Sequence, residues 1–212
     1  PAAGAGRVQA VPVRRMRRAL ERALDPGGTL RGRDSRYQHP EGYQELRYVA
    51  AWRIENPVLY SKYAAERESL VTILQSLRDA GVGVSEAQVR ERLAEPLREL
   101  PARLDGDVNE VWLLHGTTPD RIMPIISTGF NERFGGGLFG KGVYFAEDVA
   151  KADQYVMPDK NFREAREGDD DAIYDLHRLL YGEGDPAHPQ DVFYVLVCRV
   201  LLGAFARTRD GQ

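Results

Sequence analysis

Apolar residues recur at every third or fourth position through VLYSKYAAERESLVTILQSLRDAG, which follows Pro57. That spacing lines one side of a helix, so the pattern predicts a helix over 57–80. Proline suits the first helical turn, where its missing N–H breaks no bond, and Gly81 suits the end. Just upstream, ELRYVAAWRIENP alternates apolar and polar positions as a half-buried strand does, and Asn56-Pro57 stops it. SEAQVRERLAEPLREL predicts a second helix over 85–100, with Ser85 and Gln88 spaced as in a capping box and a kink at Pro96. Next come a short strand at VWLLHG (111–116), a helix over 119–128, a Gly-rich loop, a strand at GVYFA (142–146) and a helix over 147–156. A long strand, VFYVLVCRVLLG, is the last element, and the polar stretch between it and the preceding helix reads as a surface loop.

The first 40 residues are different in kind. They are rich in Arg, Gly, Ala and Pro, with RVQAVPVRRMRRALERAL as one helical stretch and DPGGTLRGRDS as a turn-rich linker. Two parts are therefore expected: a basic, turn-rich tail at 1–40 and a folded domain at 41–212. Arg14, Arg15, Arg17 and Arg18 are candidates for contact with nucleic acid or an acidic partner, although a basic helix followed by Glu21 and Arg22 is more often a solvated face.

Composition narrows the classes without choosing among them. Over 212 residues the chain is 42% hydrophobic and 29% charged, with a net charge of −3, an ordinary globular balance with no global pull toward nucleic acid or a membrane. No apolar run reaches the length of a membrane span and no signal peptide opens the chain, which suits an intracellular protein, nuclear or cytoplasmic. Pro1 in place of Met fits a fragment of a longer protein. The single cysteine, Cys198, lies in an apolar run and reads as a buried structural thiol; it excludes an internal disulfide and a multi-cysteine zinc site. His39, His177 and His188 lie in polar, turn-rich stretches and receive no role, the acidic cluster at 167–171 reads as a solvated loop, and no metal is expected.

GGGLFGKG, at 135–142, matches two phosphate-loop patterns, G-x-G-x-x-G and G-x-x-x-x-G-K. Both fail on context, because a phosphate loop follows a strand and opens a helix, whereas this one follows a helix and enters a strand. Gly142 also stands where a P-loop needs Ser or Thr. What survives is a backbone free to come close to a ligand or another segment.

A third pattern is more specific. His115-Gly116 ends one short strand, Gly140, Gly142, Tyr144, Phe145 and Ala146 form a G-x-G-x-Y-F-A run, and Tyr155 follows on a helix. In order and spacing this resembles the poly(ADP-ribose) polymerase (PARP) family, and RIENPVLYSKYAAERESL and VFYVLVCRVLLGAF resemble its opening and later elements. The resemblance covers roughly 45–205 and is dense over 111–155. It implies an α+β fold with an ADP-ribosyltransferase-like split, mostly antiparallel β-sheet core and flanking helices, here without its last strands. It further implies that NAD is the co-substrate and that proteins are acceptors. The site residues carried over are His115 on a ribose hydroxyl of NAD, Gly116 on the nicotinamide carboxamide, Tyr144 and Tyr155 on the two faces of the nicotinamide ring, and Gly142, Phe145 and Ala146 around it. His115 and Tyr144 are the candidate catalytic residues.

Two departures qualify the carry-over. Where the family places a Ser that donates to the carboxamide, three residues before Tyr155, this chain has Ala152. The family's third signature residue, a Glu on a later strand, has no counterpart before Gln212, and Glu147 and Asp148 read as charges at a helix N-terminus instead. An NAD-dependent ADP-ribosyltransferase is thus the leading expectation, and mono- versus poly-transfer stays open. A degenerate NAD-binding or protein-interaction module of the same fold is the alternative, and a plain α+β domain with structural glycines and tyrosines is the third.

Overall fold

Asn56 shows how local chemistry sets the architecture of this computed structural model, which describes residues 8–25, 46–137, 140–159, 171–182, 188–189 and 191–207. Its side-chain Oδ1 accepts from the Val58 and Leu59 backbone N–H groups at 3.1 Å, capping helix α2 (Pro57–Asp79). Its Nδ2 donates to the carbonyls of Ile126 and Ser127, both at 3.0 Å, satisfying the end of helix α4 (Pro119–Thr128). One side chain thereby fixes two helix ends against each other. Gly81, at φ +75°, closes α2 in the left-handed region that glycine enters without strain.

The remaining elements are β1 (Gln9–Pro12), α1 (Arg17–Ala23), β2 (Trp52–Glu55), α3 (Glu91–Leu97), β3 (Glu110–Gly116), β4 (Gly136–Gly137), β5 (Gly140–Lys141), α5 (Val149–Ala152), α6 (Asp171–Tyr181) and β6 (Val195–Leu201). Strands pair antiparallel as β1 with β2, β3 with β6 and β4 with β5. The fold is α+β with antiparallel sheet pieces, as the resemblance implied.

The β3–β6 ladder runs from Glu110 opposite Leu201 to Gly116 opposite Val195. Alternate residues face opposite ways, as the pleat requires. Leu114, Trp112, Val195 and Val197 join Leu20, Leu93, Leu97, Val149 and Ala152 in one core, whereas Tyr194 and Leu196 join Ile122, Ile126 and Leu176 in a second. The ladder separates two hydrophobic layers.

Glu110 is the polar anchor of this ladder, with only 3% of its surface exposed. Arg199 approaches its Oε1 with Nε at 2.6 Å, Tyr63 of α2 donates to the same oxygen, and the Asp105 N–H donates to Oε2 at 2.6 Å. The Arg199 guanidinium also stacks 5.4 Å from the Tyr63 ring centroid. Burial, and then the bond to Glu110, push the Tyr63 hydroxyl well above its usual range, so it stays a donor.

Several predicted elements change form. Residues expected as an N-terminal tail build β1 and α1: β1 pairs with β2, and Leu20 and Ala23 are buried in the first core. The expected single helix over 7–24 splits because Pro12 breaks it; the first part is extended and the second packs on α3, with Arg22 bridging Glu95 and Glu99. The expected helix over 85–100 shrinks to α3. Ser85 and Ala87 are held by the Asn109 side chain at 2.8 Å, and the Arg90 N–H goes to Glu147, so the capping box never forms. Pro96 sits in the last turn of α3, at its end and not at a mid-helix kink. The polar stretch expected as a loop contains α6, whose apolar face buries Leu176. The linker after Asp25, His39 and residues 167–170 of the acidic cluster lie outside the described residues.

Arg199→Ala should destabilise the protein by about 3–5 kcal/mol, because it strands a buried carboxylate. Tyr63→Phe removes one hydrogen bond to a charged acceptor and should cost about 1.5–3 kcal/mol. Urea unfolding followed by circular dichroism checks both, and a value under about 1 kcal/mol for Arg199→Ala contradicts the anchor role.

Candidate active site

The far end of the same ladder carries His115 and Gly116. Leu114, just before them, exchanges backbone hydrogen bonds with Ala146 at 2.7 and 2.8 Å, so the segment 142–146 lies along the free edge of β3. It was expected as a full strand, yet only Ala146 pairs. The Tyr144 carbonyl is taken by the His115 ring, whose Nδ1 lies 2.8 Å away. The Gly142 N–H reaches back to Gly135 at 3.4 Å. Backbone groups that a ladder needs are spent on the turn and on the histidine.

That His115 contact sets a tautomer. A carbonyl only accepts, so Nδ1 carries the proton and the neutral ring presents the Nε2 lone pair. Burial holds the His115 pKa below its usual value, against the raising effect of the Tyr144 carbonyl, so the neutral form is favoured. Phe130 and Phe145 pack edge-on or tilted against the imidazole, with ring centroids at 4.9 and 5.6 Å, and pack on each other at 5.2 Å. Two phenyl rings thus hold the imidazole in place. Phe130 follows Gly129, whose φ of +95° lets the chain leave α4, and nothing in the motif pointed to it.

Gly116 is required by contact. A Cβ there would fall 1.9 Å from the Ala152 carbonyl oxygen, so strand and helix meet backbone to backbone. Ala152 itself is 2% exposed and belongs to the first core. Gly142 is the opposite case, since a Cβ on it would meet nothing within 4 Å and would project into open space. Tyr144 donates from its hydroxyl to the Gly140 carbonyl at 2.6 Å, and its ring end lies against Gly137.

Tyr155 is placed differently from Tyr144. The helix expected over 147–156 is α5 followed by a 3-10 turn at Asp153–Tyr155, with Asp148 as N-cap accepting from the Ala150 N–H at 2.9 Å. Asp148 is therefore the expected charge at the helix N-terminus, as its cap, while Glu147 precedes the helix and serves α3 through the Arg90 N–H. The Tyr155 ring is 54% exposed and lies under the Lys151 ammonium at 5.1 Å.

The structure thus joins His115, Tyr144 and Phe145 directly, sets Gly116 on Ala152, and fixes Ala146 as the pairing residue. Tyr155 is carried on the same short helical segment as Ala152. Cys198 lies on β6, where burial pushes its thiol up to about 12, a structural and unreactive setting. Arg17 of the expected basic patch is engaged with Glu21 at 2.7 Å. No helix among the described residues is long and apolar enough to cross a membrane.

The described residues thus form an antiparallel α+β core with a His-Gly strand end beside a Gly-rich turn. A family model described as the poly(ADP-ribose) polymerase catalytic domain matches residues 35–209. The chain belongs to that family.

Gly116→Ala should cost at least about 1–3 kcal/mol because backbone must move to admit the methyl group, whereas Gly142→Ala should stay within about 0.5 kcal/mol of wild type. Thermal unfolding of the pair checks the contrast, and equal stabilities contradict the close approach. His115 gives a pH signature. Its folded pKa lies below the unfolded value of 6.5, so its contribution is full above that pH and is lost as pH falls through the lowered value. Wild type should lose stability faster than His115→Gln across that interval, and parallel curves contradict the assignment.

Proposed function

We propose that the protein is an NAD-dependent ADP-ribosyltransferase that moves ADP-ribose to protein acceptors and releases nicotinamide. The observation that carries this reading is the joint between His115 and the Tyr144 carbonyl, on a strand edge whose sequence is that of a PARP catalytic domain. The neutral Nε2 of His115 is an acceptor suited to a ribose hydroxyl. The Gly116 backbone and the rings of Tyr144 and Tyr155 suit a flat carboxamide-bearing ring, Gly142 leaves the space a side chain would fill, and Phe145 and Ala146 hold the wall behind them.

In the reaction the bond between ribose C1′ and the nicotinamide nitrogen breaks, its electron pair leaving with nicotinamide. A new bond forms from C1′ to an acceptor heteroatom, whose proton, where it has one, passes to solvent. An oxocarbenium-like centre develops at C1′, so a site that grips the leaving group rigidly lowers the barrier. Aromatic contacts are worth about 0.5–1.5 kcal/mol each beyond burial.

Ala152 favours a second reading, a binding-only module of the same fold, because the position lacks a hydroxyl donor for the carboxamide. The basic side chains of Arg14, Arg15, Arg17 and Arg18 enter neither reading.

Calorimetry with a nicotinamide mimic should show binding that Tyr144→Ala and Tyr155→Ala each weaken by about 2–10-fold. Ala152→Ser should tighten it several-fold, as a gained neutral hydrogen bond of about 0.5–1.5 kcal/mol implies. Labelled NAD then separates the two readings: transfer of label to protein supports the enzyme, and binding without nicotinamide release supports the module. No binding by wild type overturns both.

A further inference from the structure

Asp159, His177 and His188 play no part in the transferase reading, yet they meet in one place. Asp159 follows the α5 segment and bridges to Val192 through an N–H···O bond of 2.8 Å; His177 lies on α6; His188 lies between α6 and β6. Their exposures are 2%, 4% and 8%, and their ligand-type atoms all lie within 4.8 Å of one another. This contradicts the expectation that His177 and His188 sit in polar turns away from metal-ligand partners.

The geometry is focused on one oxygen. Asp159 Oδ2 is 2.7 Å from His177 Nε2, 2.7 Å from the Tyr194 hydroxyl and 3.3 Å from His188 Nε2. A carboxylate oxygen offers two lone pairs, and here three potential donors converge on it. A dication resolves the crowding, because both imidazoles then turn lone pairs inward and the carboxylate supplies charge. Two imidazoles and a carboxylate are a donor set that suits zinc and its neighbours, whereas calcium and magnesium favour oxygen alone.

We propose that Asp159, His177 and His188 bind a divalent transition-metal ion of the zinc type, in a buried structural site that clamps α6 to the entry of β6. Tetrahedral zinc, with bonds of about 2.0–2.1 Å, separates its donors by about 3.3 Å. The His188–Asp159 spacing already has that value, and the His177–Asp159 contact opens by about half an ångström. Surroundings fit an outer shell: Tyr194 orients the carboxylate, its hydroxyl lies 3.3 Å from that of Tyr181, and the Tyr181 ring packs 4.7 Å from His188. The fourth position falls to water. This inference extends past the sequence expectation of no metal and rests on no part of the transferase reading.

The test uses the whole chain, stripped with a chelator and dialysed. Zinc titrated by calorimetry should bind at a single ion per chain and raise the melting temperature, and cobalt should give the intense visible bands of a tetrahedral nitrogen and oxygen site. His188→Gln and Asp159→Asn should abolish the cobalt bands. Tyr194→Phe, which removes only an outer-shell bond, should weaken zinc by about 10–100-fold while leaving the fold intact by circular dichroism. Wild type that takes up neither metal, or a His188→Gln variant that binds zinc as tightly as wild type, overturns the proposal and leaves the cluster a hydrogen-bond network.

Discussion

The ladder between β3 and β6 is the constraint on which the rest depends, and Glu110 is what locks it. A strand pair can slip, and a one-residue slip would turn every side chain to the wrong layer. Glu110 forbids this from one end, because its buried carboxylate is balanced only when Arg199 on β6, Tyr63 on α2 and the Asp105 N–H are all in place. Gly116 forbids it from the other end, because only there can the Ala152 carbonyl approach the strand backbone. With both ends fixed, His115 is delivered to one position beside the Tyr144 carbonyl.

Much of this was legible in the sequence where a residue acts locally. Asn56-Pro57 announces the start of α2, Gly81 its end, and the apolar runs VWLLHG and VFYVLVCRVLLG announce the two ladder strands. Local signals failed where distant groups capture the backbone. The segment 85–90 has a helical pattern and a capping pair, but Asn109 takes hold of Ser85 and Ala87 and keeps them out of the helix. The segment 142–146 has a strand composition, but a histidine side chain occupies the Tyr144 carbonyl. The α6 helix was missed for another reason: Ile173, Leu176, Leu179 and Leu180 carry the right spacing, and the acidic run before them drew the reading toward a loop.

The candidate site was legible as a set and not residue by residue. His115, Gly116, Gly142, Tyr144 and Tyr155 are individually ordinary, and only their order and spacing carry the resemblance that the family match supports. Phe130 was illegible because an aromatic after a helix has no motif, although it completes the ring cluster around His115. The cluster of Asp159, His177 and His188 was illegible because side chains scattered over thirty residues, with an unpredicted helix between them, leave no spacing to read.

That second cluster bears on the first through β6. Tyr194 donates to Asp159 on one side of the sheet, and the next residue, Val195, stands opposite Gly116 while its side chain joins the first core. Tyr181 makes a similar tie, packing edge-on against Trp52 at 5.1 Å and so linking α6 to β2. The place where β6 enters the ladder is therefore set by polar contacts in one layer and read out as backbone register in the other. A site that needs Gly116 at touching distance from Ala152 has little tolerance for movement at that point. A rigid junction at Asp159, whether closed by hydrogen bonds or by an ion, is the kind of support such a contact requires.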